Sequence, residues 1–324
     1  MRPSHPDRFS NGRPAGAAVR ALVMLVMALP LLAGARTPAD TPRAPAAPTE
    51  RVVTLFQGAT DTAVALGLAP VGVVESWIER PMYHYLRAKL TDVRYLGLET
   101  QPDLEGIALL HPDLIVGARN RHTLIAPLLS RIAPTVIAEE LYDFKALLRL
   151  MARATGREAR AARLLQHWRR RVTDFRTKMA RRLGERWPPT VSVVSFRSNH
   201  ARIYYGGFAR TVLDELGFRR PAAQQHAGWG IKLTSQESIP AMDAEAIFVF
   251  MVASDPAVMD TYRKWTRHPL WQQLKATRNQ AVFRVDPVIW NMGGGYLAAN
   301  RMLDALYAHY GLSPLGADPD CASC

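Results

Sequence analysis

One pattern of residues occurs twice in this chain, 132 positions apart, and it restricts the fold more than any other feature. The first copy is QPDLEGIALLHPDLIV, Gln101 to Val116; the second is LTSQESIPAMDAEAIFVF, Leu233 to Phe250. Glu105 aligns with Glu237, Ile107 with Ile239, Asp113 with Glu245 and Ile115 with Ile247. Each copy opens on a helix-start signal (Pro102 and Asp103; Thr234 and Ser235), continues as a short helix and ends in an apolar strand. A doubled unit of this kind predicts two similar α/β lobes, each presenting one acid at the same place. A ligand between the lobes and a partner that reads both acids would account for the arrangement.

The first 35 residues stand apart from that fold. Arg2, Arg8, Arg13 and Arg20 make a basic start, Ala21 to Leu32 is apolar, and Ala33-Gly34-Ala35 fits a small-x-small cleavage site. The apolar run is shorter than the roughly 20 residues of a membrane span. No cysteine follows it to carry a lipid. The expectation is a signal peptide over residues 1–35, cleaved near Ala35, and export to the periplasm. Residues 36–50, with Pro38, Pro42, Pro45 and Pro48 among small residues, read as an extended linker.

The formal charge of +13 is concentrated. Between Arg157 and Arg186 eleven Lys or Arg residues face three acids, which leaves +8 in that stretch. Its apolar positions, among them Leu164, Trp168, Val172, Phe175 and Met179, recur at three and four, so the arginines fall on the opposite, solvated face. Nucleic-acid binding would call for basic residues interleaved with aromatics or a recognisable module, and neither is present. The two cysteines, Cys321 and Cys324, share a C-x-x-C spacing in a Gly/Pro/Asp-rich tail, where a tail disulfide or two incidental thiols is the expectation.

Strands are expected at Arg51–Phe56, Val71–Val74, Leu114–Val116 and Thr135–Ala138, with a polar turn at Gln57–Thr60 and helices between. A mostly helical stretch follows from Tyr142 to Arg182, broken near Gly156; its later part, Glu158 to Leu183, would be about 39 Å long at 1.5 Å per residue. A second strand–helix series uses Val191–Phe196, Ile203–Tyr205, Ile247–Phe250 and Ala281–Val285. The predicted organisation is an N-terminal lobe over 51–142, a connecting helical segment over 143–187, a C-terminal lobe over 188–315 and a tail over 316–324. The fold class is α/β: two lobes, each with a mainly parallel sheet, bridged by one long α-helix. Ligands of such sheets bind beyond the carboxyl ends of the strands.

With these residues in hand, the chain resembles the substrate-binding proteins of iron-siderophore ABC importers, the long-helix class that includes vitamin B12 and haem binders. It is most similar there to the ferric citrate and ferri-siderophore group. The resemblance covers nearly all of Arg51 to Tyr310 and rests on RVVTL with ALGLAPVGV, QPDLEGIALLHPDLIVGARNRH, SRIAPTV, RIYYGGFARTVLDELGFRRPAAQ, HPLWQQLKA and VDPVIWNMGGGYLAAN. It implies a monomeric periplasmic carrier without a cofactor, whose cargo is the ferric siderophore. It also implies that Glu105 and Glu237 dock against arginines of the permease. Thr234-x-x-Glu237 additionally reads as a capping box.

For the ligand, the resemblance points to the loop Arg119-Asn120-Arg121-His122 after the strand ending at Val116, and above all to Arg121 and His122. A ferric complex with carboxylate groups is anionic, and the guanidinium fork meets carboxylate oxygens with two parallel bonds. From the second lobe come Arg197, Arg202, Tyr204 and Trp290; Trp229 and Trp77 are candidate apolar walls. Glu99 stands where several relatives carry a basic residue, which leaves room for a less anionic or cationic siderophore.

Within the class the alternative is haem or cobalamin, with His84, Tyr83 and Tyr85 as the haem-iron candidates. From another class, an α/β hydrolase-like enzyme lacks its signatures: there is no Gly-x-Ser-x-Gly elbow, no P-loop and no Gly-x-Gly-x-x-Gly after a strand. Gly293-Gly294-Gly295 lacks the spacing and the Lys of a phosphate loop.

Overall fold

A computed structural model of the protein describes residues 51–315. The predicted signal peptide over 1–35, the linker over 36–50 and the tail over 316–324 that bears Cys321 and Cys324 lie outside the described residues.

The N-terminal sheet contains β1 (Val52–Thr54), β2 (Gly72–Glu75), β3 (Arg94–Leu98), β4 (Gln101–Pro102), β5 (Leu114–Ala118) and β6 (Thr135–Ala138). Their order is β4-β3-β2-β1-β5-β6, and only the β3–β4 pair is antiparallel. Strands β1 and β5 are apolar apart from Thr54 and buried on both faces, as central parallel strands must be. Strands β3 and β4 were not expected: the mixed RYLGL segment and a two-residue edge strand carry no period-two signal. The expected turn at Gln57–Thr60 is instead the first turn of a helix, Gln57–Ala65. Its polar side chains point inward, and some are paired there, as in the 2.8 Å hydroxyl pair of Thr54 and Thr60 and the two donors that reach Asp61 from Leu297 and Ala298.

The second sheet contains β7 (Val191–Phe196), β8 (Ala201–Tyr204), β9 (Gly230–Leu233), β10 (Ala246–Phe250) and β11 (Val282–Arg284), in the order β11-β10-β7-β8-β9. The β7–β10 and β10–β11 pairs are parallel, whereas β7–β8 and β8–β9 are antiparallel. This sheet is therefore mixed. A four-residue turn, Arg197 to His200, sends β8 straight back along β7, and a return that short can only be antiparallel.

The doubled unit is preserved in three dimensions. Asp113 accepts the backbone N–H of Arg51 at 2.9 Å, and Glu245 accepts that of Thr190 at 2.6 Å. Each acid thus holds the residue just before the first strand of its own sheet. Asp103 caps the helix Leu104–Leu109 by accepting from Gly106 N–H, and Ser235 caps the 3₁₀ segment Gln236–Met242. The cap of the second copy is Ser235 rather than the Thr234 of the expected capping box. Pro240 inside that segment has no N–H to donate to an α-helical ladder.

Two helices connect the lobes, Phe144–Thr155 and Glu158–Leu183, with Gly156 between them at φ 66°, a conformation that glycine adopts freely. The predicted apolar stripe of the long helix is buried, and its residues join one continuous core with β1, β7 and β10 side chains and with the closing helix Tyr296–His309. One arginine departs from the solvated face: Arg171 is buried and donates to Asn300 Oδ1 at 2.7 Å and to Asp304. Among the described residues no helix is long and apolar enough to cross a membrane.

Gly293-Gly294-Gly295 is a contact between the two halves of the chain. A Cβ on Gly295 would come within 2.3 Å of the Asp61 carboxyl carbon. That close approach lets the fully buried Asp61 accept from the N–H groups of Leu297 (2.8 Å) and Ala298 (2.9 Å), which open the closing helix.

Candidate functional site

A cleft of about 620 Å³ lies where the ends of the two sheets face each other. One wall carries Arg121 and Tyr142; the other carries Arg197, His200, Arg202 and Trp229. Arg121 sits one turn beyond the end of β5, and Tyr142 follows the loop after β6, so both lie past strand carboxyl ends. On β8 the alternation is clean: Ala201 and Ile203 are buried in the core, while Arg202 and Tyr204 face the opening. Arg197 and His200 belong to the tight turn between β7 and β8, closed by the Arg197 N–H to His200 carbonyl bond at 2.9 Å.

Arg121 is held from two sides. Its Nε lies 3.1 Å from Glu99 Oε2, and its guanidinium carbon lies 5.3 Å from the Trp77 ring centre. Glu99 is buried, which raises its pKa; the N–H of Gln57 and the charge of Arg121 oppose that rise. The same residues border a smaller recess of about 50 Å³, into which Gln57, Trp77 and Gly294 also project.

The second wall is electropositive. Partial burial lowers the pKa of His200, and Lys232, Arg202 and Arg197 lower it further, so its imidazole is surrounded by positive charge. Lys232 stands opposite Arg202 in the β8–β9 register. At the rim, Tyr142 meets Trp229 edge to face at 5.1 Å, an aromatic contact that spans the cleft. Burial pushes the Tyr142 phenol up to about 12, leaving it a neutral hydroxyl that can donate.

Of the residues singled out in the sequence, Arg121, Arg197, Arg202, Tyr204 and Trp229 converge on this cleft, and Trp77 borders the recess. Three others do not line it. His122 is fully buried: its Nδ1 accepts from Ala118 N–H and its Nε2 bonds the Glu99 carbonyl, both at 2.9 Å. Both ring nitrogens are thereby occupied, and burial lowers its pKa further, so it positions the Glu99–Arg121 pair from behind. Trp290 is buried at 1% exposure and packs against Phe248 at 4.6 Å, as a core residue beneath the second sheet. Arg119 points to the exterior and pairs with Glu139.

The haem alternative built on Tyr83 and Tyr85 is not supported by their placement. Both rings are buried, Tyr85 donates to Asp61 at 2.9 Å, and His84 is occupied by Glu79 at 3.0 Å. Tyr142, Ser198, His200, Asn291 and Met292 also line the cleft and were not among the candidates from the sequence. Tyr142 had a usable signal, because it lies in the loop after a predicted strand.

Glu105 and Glu237 are both exposed, each second in its short helix, and neither has an ion-pair partner among the described residues.

Comparison with known proteins adds the following. A sequence profile described as "Periplasmic binding protein" matches residues 52–289. The chain is 51% identical over 257 residues to the "Achromobactin-binding periplasmic protein" of Dickeya dadantii (strain 3937), covering 79% of this chain and 84% of that one. It is 39% identical over 271 residues to the "Probable siderophore-binding lipoprotein YfiY" of Bacillus subtilis (strain 168), covering 81% and 82%. Among solved structures, Staphylococcus aureus SirA complexed with staphyloferrin B superposes with a TM-score of 0.78 at 40% identity, over 83% of this chain and 95% of that one.

Proposed function

Because the chain belongs to the periplasmic binding protein family, we propose that it captures an anionic ferric siderophore in the cleft between its lobes and delivers it to the permease of an ABC importer. The family and the relatives named above are binding proteins. The observation that carries the ligand class is the meeting of Arg121 from one lobe with Arg197 and Arg202 from the other, with one acid nearby, Glu99, already paired. Such a cleft attracts negative charge and presents planar forks to carboxylate oxygens, while Trp77 and Trp229 supply apolar walls. The relatives at 51% and 40% identity, an achromobactin-binding protein and SirA complexed with staphyloferrin B, support the same class.

Delivery uses the two exposed acids. Glu105 and Glu237 stand at equivalent places on the two lobes and leave their charges free for a basic partner. The chain works as a monomer exported through its signal peptide. Binding involves modest lobe movement, because the lobes share a continuous core around the long helix instead of a flexible hinge.

The test is tryptophan fluorescence of the purified mature protein, titrated with ferric citrate, several ferric hydroxamates, ferric staphyloferrin B and haem. Saturable quenching by an anionic ferric siderophore, with none by its iron-free form, is the expected result. Saturation by haem alone, or by no member of the panel, would overturn the reading.

A further inference from the structure

The long helix has a second surface. Opposite its buried stripe, Arg169, Arg170, Arg176 and Arg181 are exposed, and none has an ion-pair partner among the described residues. At about 100° per residue the four fall within an arc of roughly 140°. Other exposed positions of that arc include Ala162, Gln166, Thr173, Thr177 and Ala180, which are uncharged and mostly short, so the guanidinium groups are what the strip presents. Three acids are near. Glu158 and Glu185 are exposed, one at the start of the helix and one just past its end. Asp174, at the edge of the strip, is occupied by Lys178 and by the Tyr307 hydroxyl, each at 2.7 Å.

Beside the strip, the preceding helix Phe144–Thr155 and the long helix form a groove of about 400 Å³. Ala152, Ala161 and Leu165 are buried beneath it. Arg149, Arg153 and Arg169 stand around it with Glu158, three guanidiniums against one carboxylate, a net charge of +2. This side of the molecule is remote from the cleft. Arg160, near the start of the long helix, donates to the Ala65 carbonyl at 2.8 Å; Ala65 ends the helix whose first residue, Gln57, borders the recess. At its other end the chain passes through Trp187 to β7, and only the far end of β7 reaches the cleft, at Arg197. Both ends of the long helix therefore lie by the amino ends of strands, away from the ligand.

We infer that the arginine strip and its groove bind the surface of an anionic phospholipid bilayer, with a lipid phosphate held among Arg149, Arg153 and Arg169. Guanidinium forks suit phosphate oxygens, and a row of them along a straight helix about 39 Å long meets a flat charged surface at many points at once. The groove selects an amphiphile over a soluble polyanion: its alanines and Leu165 can cover the glycerol and first acyl carbons behind the phosphate. Nucleic acid would call for exposed aromatics to stack on bases, and both aromatic rings of the long helix, Trp168 and Phe175, are buried. A second copy of the chain would bring arginine against arginine. Held in this way the carrier is concentrated at a membrane while its cleft points away from the lipid and stays open to cargo.

The experiment is co-sedimentation of the purified mature protein with vesicles of phosphatidylcholine alone or mixed with phosphatidylglycerol, at low and high salt. Expected is binding to the mixed vesicles only, lost as salt rises. The triple variant Arg149→Gln, Arg153→Gln, Arg169→Gln should bind them about a hundredfold more weakly. A control that removes the same charge from other exposed sites, Arg131→Gln, Arg267→Gln, Arg278→Gln, should keep most of the binding. Monomeric dihexanoylphosphatidylglycerol should compete, and glycerol 3-phosphate should not. Equal losses in the two triples would overturn the face in favour of net charge alone. Equal competition by glycerol 3-phosphate or by inorganic polyphosphate would replace the lipid with a soluble anion. Equal binding to both vesicle types, or to neither, would also overturn the inference. Ferri-siderophore titrations should be unchanged in every variant, which establishes that the fold is retained and keeps this test separate from the reading of the cleft.

Discussion

Glu99 and Arg121 form an ion pair at the floor of the cleft: Oε2 of the buried acid lies 3.1 Å from the guanidinium Nε, and Oε1 accepts the Gln57 N–H at 2.9 Å. The acid therefore faces Arg121 from its inner side and subtracts one negative charge from what the site attracts. It holds the arginine in place and tempers it together.

Removing these two contributions separately should give opposite results. Glu99→Gln keeps the shape and an acceptor for Gln57 while deleting the charge, and is expected to shift preference toward the more anionic ferric complexes. Glu99→Ala also releases Arg121, and is expected to weaken binding of all of them by about tenfold, close to 1.4 kcal/mol. Fluorescence titrations of both variants against ferric complexes of graded charge check this.

Arg121→Ala and Arg197→Ala truncate one charged contact on each wall. Each should weaken ferri-siderophore binding at least about tenfold, roughly 1.4 kcal/mol, with the larger losses at low salt. Calorimetry at two ionic strengths measures it; unchanged affinity in both variants would move the site elsewhere.

Glu105→Ala with Glu237→Ala should leave ligand affinity intact and abolish uptake, since both acids lie outside the cleft. Uptake of iron-labelled siderophore by cells carrying the double variant decides it. Normal uptake would remove the docking role.

Trp290 separates packing from recognition. Its burial against Phe248 predicts that Trp290→Ala costs about 3–5 kcal/mol of stability. Trp290→Phe should still bind and still show ligand quenching from Trp77 and Trp229. Denaturant unfolding and titration of the two variants test this.

Asp61 makes stability depend on pH. Burial raises its pKa from 3.8 to about 6, and the N–H groups of Leu297 and Ala298 offset only part of that rise. The folded state holds this proton more tightly than the unfolded chain does. Its contribution to stability is therefore fully present below about pH 4 and is lost as pH rises through about 6. The span is roughly 3 kcal/mol. Relative to Asp61→Asn, the wild-type protein should lose about that amount between pH 4 and 6 and stay level above it, as read by urea unfolding at each pH.

Much of this protein was legible from local patterning. The strands at Val191–Phe196 and Thr135–Ala138, the break at Gly156 and the long amphipathic helix follow from β-branched runs, a left-handed glycine and a 3.6-residue period, each set by neighbours along the chain. The repeat likewise announced two lobes and their equivalent acids. Five of the nine ligand candidates converge on the cleft and Trp77 borders its recess. What periodicity could not supply was direction. Arg119, Arg121 and His122 share four residues of sequence, yet one turns outward to Glu139, one enters the cleft and one is buried behind Glu99. Trp290 and Trp229 look alike as residues, but only the packing of Phe248 decides that the first is core.

The sequence by itself determined the α/β class, the long connector and the paired acids, because these depend on contacts between residues a few positions apart. The tertiary structure alone decided the Glu99–Arg121 pair, the Tyr142–Trp229 closure and the seating of the closing helix on Asp61. Those partners are separated by 22 to 237 positions, and they meet only once burial and hydrogen bonding have chosen which polar groups the core will accept.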